Sequence, residues 1–130
     1  MSEPASSIKH RASSISLREI AHARSGDKGS GANVAVFAYS KEGYEFLRKH
    51  LTAKAVEDYF KPMGVGAVER FEVPNLEALN FMLPGVLAGG GSRSLRIDPQ
   101  GKTLGEAILE MKLNAPANLK RRGKWETRLF

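Results

Sequence analysis

The stretch Arg24-Ser25-Gly26-Asp27-Lys28-Gly29-Ser30-Gly31-Ala32-Asn33 holds three glycines and two serines in ten positions. The most apolar strand of the chain, residues 34–39, follows at once. This juncture constrains the fold more than any other. A strand over residues 15–23 meets the next through a connection too short for a crossover helix, which rules out a parallel pair. In 34–39, Val34, Val36 and Ala38 alternate with Ala35, Phe37 and Tyr39, so both faces are apolar. That pattern suits a central strand covered on both sides. If one face is open in a single chain, Phe37 or Tyr39 must be covered by another.

The rest of the chain supplies elements around that strand. Ser40 caps a helix from Lys41 to about Leu51 with Tyr44, Leu47 and Leu51 on one stripe, and Thr52 caps a second whose buried face is Ala55, Val56, Tyr59 and Phe60. Pro62 and Gly64 stop it. Residues 67–73 alternate as a strand with one partly wet face. Pro74-Asn75 breaks it, and Asn75 is the expected N-cap of a short helix over 76–83. A second glycine cluster, Gly89-Gly90-Gly91, opens onto a strand over 93–97, and Asp98-Pro99-Gln100-Gly101 is a turn. Thr103-Leu104-Gly105-Glu106 is a capping box, followed by the stripe Leu104, Ala107, Ile108 and Met111. Four strands with helices gathered between them predict an α+β sandwich, with helices on one face of a mostly antiparallel four-stranded sheet.

Composition bounds the partners. The chain of 130 residues carries a net charge of +6 and no cysteine. It is one domain over 14–117 between a flexible tail (1–13) and a basic tail (118–130). The basic tail holds five cations against Glu126, so the surplus sits at the ends and leaves the body nearly neutral. That distribution, without any recognition motif, argues against nucleic acid as the partner. No apolar run approaches the roughly 20 residues of a membrane span. The first residues lack the apolar core of a secretory signal, and a cytoplasmic protein is expected. Without cysteine, and with His10, His22 and His50 far apart, no metal or cofactor is expected.

Two readings of the first glycine stretch stand side by side. Glycine tolerates the backbone angles that turn consecutive amides into one concavity, so the stretch can cradle an anion with Arg24 or Lys28 adding charge. It can equally be a tight connection in which Asp27 caps its own turn. The cluster Gly89-Gly90-Gly91 points to close backbone approach by a ligand or a second subunit, and Arg96 nearby can hold a carboxylate or pair with Asp98. Asn80, partly buried, needs a partner and is expected to bond loop backbone. His22, beside the glycine stretch, is the one histidine placed to move a proton. The only tryptophan, Trp125, stands among cations in a tail that is either solvated or a docking arm.

Three separated motifs resemble the AtuA-like family. They are Ala23-Arg24-Ser25-Gly26-Asp27-Lys28 with Ala32-Asn33-Val34, then Val73-Pro74-Asn75-Leu76-Glu77-Ala78-Leu79-Asn80-Phe81, then Leu87-Ala88-Gly89-Gly90-Gly91 with Ser94-Leu95-Arg96-Ile97-Asp98-Pro99. The family's domain is the small C-terminal, ferredoxin-like part of the acyclic terpene utilisation protein AtuA. The resemblance implies an α+β fold and a role in catabolism of terpenoid or related acyl-CoA compounds. Here the domain stands alone, which implies a separate AtuA-like large subunit as partner. The expected function is therefore an accessory module that self-associates and docks on that subunit. The alternative is an enzyme or ligand-binding domain for an acyl-CoA or small carboxylate. In it Arg24, Ser25, Gly26, Asp27, Lys28, Gly29, Asn33, Asn75, Asn80, Gly89, Gly90, Gly91 and Arg96 bind, and Asp27, Lys28 or His22 acts catalytically.

Overall fold

The computed structural model describes residues 13–86 and 103–119. In chain order these form β1 (Ser13–Ser16), a 3-10 turn (Leu17–Glu19), β2 (Ala21–Lys28), β3 (Gly31–Ala38), α1 (Lys41–His50) and α2 (Ala53–Phe60). There follow β4 (Glu69–Val73), a 3-10 turn (Pro74–Leu76), β5 (Ala78–Leu83), α3 (Leu104–Ile108) and β6 (Lys112–Ala115). Strands β2, β3, β5 and β4 lie in that spatial order in an antiparallel sheet, and β1 pairs with β6 in a separate antiparallel ribbon. Helix residues Tyr44, Leu47, Val56, Phe60, Leu104 and Ile108 share one buried core with the sheet. This is the expected α+β, ferredoxin-like sandwich. The expected strand over 93–97, the turn after it, and residues 1–12 and 120–130 of the two tails lie outside the described residues, while Ser13 begins β1 and Leu119 is buried in the core.

Local chemistry fixes the helix starts where the sequence places them. The Ser40 hydroxyl accepts from the Gly43 amide at 2.9 Å, and the Thr52 hydroxyl from the Ala55 amide at 3.0 Å. At α3 the Thr103 hydroxyl accepts from the Glu106 amide, and the Glu106 carboxylate accepts from the Thr103 amide. Each satisfies amides that have no partner within the helix. The C-terminus of α1 is held from the sheet. The Arg70 guanidinium donates to the carbonyls of Arg48 and Leu51, each at 3.0 Å, and pairs with Glu72.

Four expectations need correction. The first strand is not continuous over 15–23. The Ser16 amide donates to the Glu19 carboxylate, and the chain turns there, so its halves join different sheets. The connection between β2 and β3 is far shorter than residues 24–33. The strands extend through that stretch to a two-residue turn, Gly29-Ser30, with Lys28 opposite Gly31. Gly29, at φ +62°, takes the first central position, where such hairpins favour glycine. The expected helix over 76–83 is strand β5. Leu79, Phe81 and Leu83 are fully buried while Asn80 and Met82 are half-buried, a period of two set by pairing with β3 on one side and β4 on the other. Tertiary pairing overrides the helix preference of its Leu, Ala and Met residues. Asn75 is therefore no helix cap. It sits exposed inside a 3-10 turn whose N-cap position belongs to Val73. The ribbon strand β6, four residues long, was not expected at all.

Gly31 marks the tightest backbone contact among these turns. A Cβ there would stand 2.8 Å from the Leu83 carbonyl oxygen and 3.0 Å from Pro84 Cα, whereas one at Gly29 would meet nothing within 4 Å. Gly31→Ala is expected to cost about 2 kcal/mol through forced backbone movement. Gly29→Ala costs about 1 kcal/mol from its left-handed angle alone. Urea unfolding of both variants measures the difference.

The Tyr44 hydroxyl is buried without a hydrogen-bond partner among the described residues. Burial, and secondarily the Glu72 carboxylate, raises its pKa above the ordinary tyrosine value. The phenol thus ionises more readily in the unfolded chain, so stability is intact below about pH 10 and falls as pH rises past it. Tyr44→Phe is expected to match or exceed the parent at pH 7, since it removes an unpaired polar group. It should also lose less stability between pH 9 and 11, as read by urea unfolding across that range.

Candidate functional site

Alternation along the strands sorts the sheet into two faces. Ala32, Val34, Val36, Leu79, Phe81 and Leu83 point to the helices and are buried. The register sets the opposite face out in three transverse rows. The first is His22, Phe37, Ala78 and Val73; the second is Arg24, Ala35, Asn80 and Phe71; the third is Gly26, Asn33, Met82 and Glu69. Lys28 continues the β2 edge beyond the third row. Phe71 is 47% exposed and Tyr39, just past β3, 39% exposed. Among the described residues, helices therefore cover the apolar strand 34–39 on one side only, where cover on both sides was expected.

The face has an aromatic end and a polar end. The His22 ring stacks on Phe37 with centroids 5.0 Å apart and planes at 12°, and lies 5.5 Å from Tyr39. Two rows away the Asn33 side-chain amide donates to the Asn80 side-chain carbonyl at 2.9 Å. Asn80 thus bonds another side chain across the sheet, not loop backbone. Below this pair, a pocket of about 460 Å³ opens at the turn end, lined among others by Lys28, Ser30, Glu69, Met82 and Pro84.

The structure gathers some sequence candidates and separates others. His22, Arg24, Gly26, Lys28, Asn33 and Asn80 share the helix-free face. Ser25 and Asp27 alternate to the opposite face. Ser25 is occupied there, its hydroxyl accepting the Gly105 amide of α3 at 3.2 Å. Asp27 and Lys28, expected to act together, therefore project from opposite sides of β2. Gly29 forms the turn tip, and Asn75 lies past the aromatic end. Gly89, Gly90, Gly91 and Arg96 are outside the described residues. Phe71 and Met82 join the face without having been singled out. The signal for Phe71 is the alternation of 67–73, read as a strand with one partly wet face, while that for Met82 is the period of two in β5, which the helix reading of 76–83 hides. Among the described residues no group of three His, Asp or Glu side chains could hold a metal ion. Among them, too, no helix is long and apolar enough to cross a membrane.

The fold and this face define the class: an α+β sandwich domain with helices on one side of its sheet and a mixed aromatic and polar surface on the other. The family model for the AtuA ferredoxin-like domain matches residues 15–114, and the chain belongs to that family. No curated protein and no solved structure matches it.

The Asn33–Asn80 pair is half-buried, so removing one partner leaves the other amide poorly satisfied. Asn33→Ala and Asn80→Ala are each expected to cost about 1 kcal/mol. The double variant should cost clearly less than the sum of the singles, a coupling that a double-mutant cycle in urea reads directly.

Proposed function

We propose that this domain is an accessory interaction module. It self-associates through the helix-free sheet face and docks on an AtuA-like large subunit, in the cytoplasm, within catabolism of terpenoid or related acyl-CoA compounds. The observation that carries the reading is the exposure of Phe71 and Tyr39 beside the His22–Phe37 stack on one continuous face. Clustered exposed aromatics of this kind mark surfaces that gain by being covered. Light scattering after size exclusion tests the reading, with and without an AtuA-like large-subunit protein. The expected result is a homo-oligomer that shifts into a larger complex, and a Phe37→Ser/Phe71→Ser variant that runs as a monomer with an unchanged circular dichroism spectrum. A parent protein that is monomeric at 100 µM (about the upper working range for a weak contact) and ignores the large subunit counts against it.

A second reading rests on the pocket at the turn end, where Lys28 can hold a carboxylate and Met82 with Pro84 gives an apolar wall. It predicts binding of a short acyl-CoA or carboxylate by titration calorimetry, lost on Lys28→Ala. Lys28 and Glu69 both line the pocket, so a bound carboxylate would sit beside one cation and one carboxylate.

A further inference from the structure

We infer that two copies of this domain pack sheet to sheet about a two-fold axis parallel to the strands, with the β2 edge of each copy over the β4 edge of the other. This rests on the self-association proposed above and specifies its geometry.

The face is asymmetric across its strands. The β2 edge carries the cations Arg24 and Lys28 with Gly26 between them, and the β4 edge carries the carboxylate of Glu69. None of the three has an ion-pair partner among the described residues. Two sheets packed face to face keep their strands within about 30° of each other and sit about 10 Å apart. A two-fold axis across the strands would set β2 on β2 and β4 on β4, opposing cation to cation and carboxylate to carboxylate. An axis along the strands reverses each row instead, setting β2 on β4 and β3 on β5.

Reversal makes every row complementary to itself. In the third row Glu69 comes over the bare Gly26 of the second copy, with Arg24 on one side and Lys28 on the other. In the second row Phe71 comes over Arg24, the pairing of a guanidinium with an aromatic face, and Asn80 comes over Ala35. In the first row Phe37 comes over Ala78, and His22 over Val73. Glu69 over Gly26 and Asn80 over Ala35 set a large side chain on a small one, as interdigitating sheets require. An isologous contact of this kind closes as a dimer.

Sedimentation equilibrium of the full chain at low salt tests the packing with charge exchanges at two exposed positions. Glu69→Lys and Lys28→Glu, each alone, are expected to weaken dimerisation about tenfold, because each sets like charges together. An equimolar mixture of the two variants, or the double variant, should recover to within about threefold of the parent. Raising salt should weaken the parent and strengthen each single variant. If the singles dimerise as tightly as the parent while Phe37→Ser/Phe71→Ser is monomeric, this packing is overturned and self-association stands. Weakened singles with no recovery on mixing also overturn it. A parent that is monomeric throughout overturns both.

Discussion

Among the described residues, strand β3 has hydrogen-bonded neighbours on both sides but helices on only one. That single constraint organises the molecule. Val34 and Val36 are wholly buried, each a gain of about 1.5–3 kcal/mol, while Asn33, Ala35 and Phe37 between them stay half-exposed. A slip of one residue would drive Asn33 and Phe37 into the helix layer and expose both valines. The register is therefore set from the buried side, and the layout of the open side follows from it.

Legibility in the sequence followed the range of the interaction concerned. Ser40, Thr52 and Thr103 cap helices through bonds spanning three residues, and all three starts were readable. The two-residue hairpin was half-readable. Its brevity argues against a crossover, yet the glycines and serines made all of 24–33 read as connection where an antiparallel ladder runs almost to the tip. Strand β5 was misread because its residues favour a helix locally, and only flanking strands 40 residues away on one side and a few on the other make it extended. β6 is held by β1, almost 100 residues earlier, and four residues of alternation are too few to announce that pairing. For the candidate site, the residues of β2 and β3 were legible from their composition. Which of them share a face was not, because that depended on where β2 begins.

The division of β2 between faces bears directly on chemistry. A proton-moving carboxylate and an anion-holding cation must converge on one substrate, within hydrogen-bond reach of it. Asp27 and Lys28 are adjacent in sequence and so diverge in an extended strand. Ser25 already serves the amide at the start of α3. What remains together on the open face is an aromatic stack, an amide pair, the cations Arg24 and Lys28, and the Glu69 carboxylate on the far edge. That set is suited to recognition of a partner of mixed charge and aromatic character.

The rows of that face hold their levels because of a backbone contact at its edge. Gly31 lets Leu83 and Pro84 pass within a distance that no side chain would allow. This pins the turn end of β3 against the end of β5. Among the described strands β4 pairs with β5 alone, so Glu69 inherits its level from Met82, and Met82 from Asn33. Gly26 takes its level from Asn33 on the other side. The placement of a carboxylate on one edge level with a bare glycine on the other thus depends on one glycine at the hairpin. The glycines of this segment serve the open face by fixing where its side chains stand.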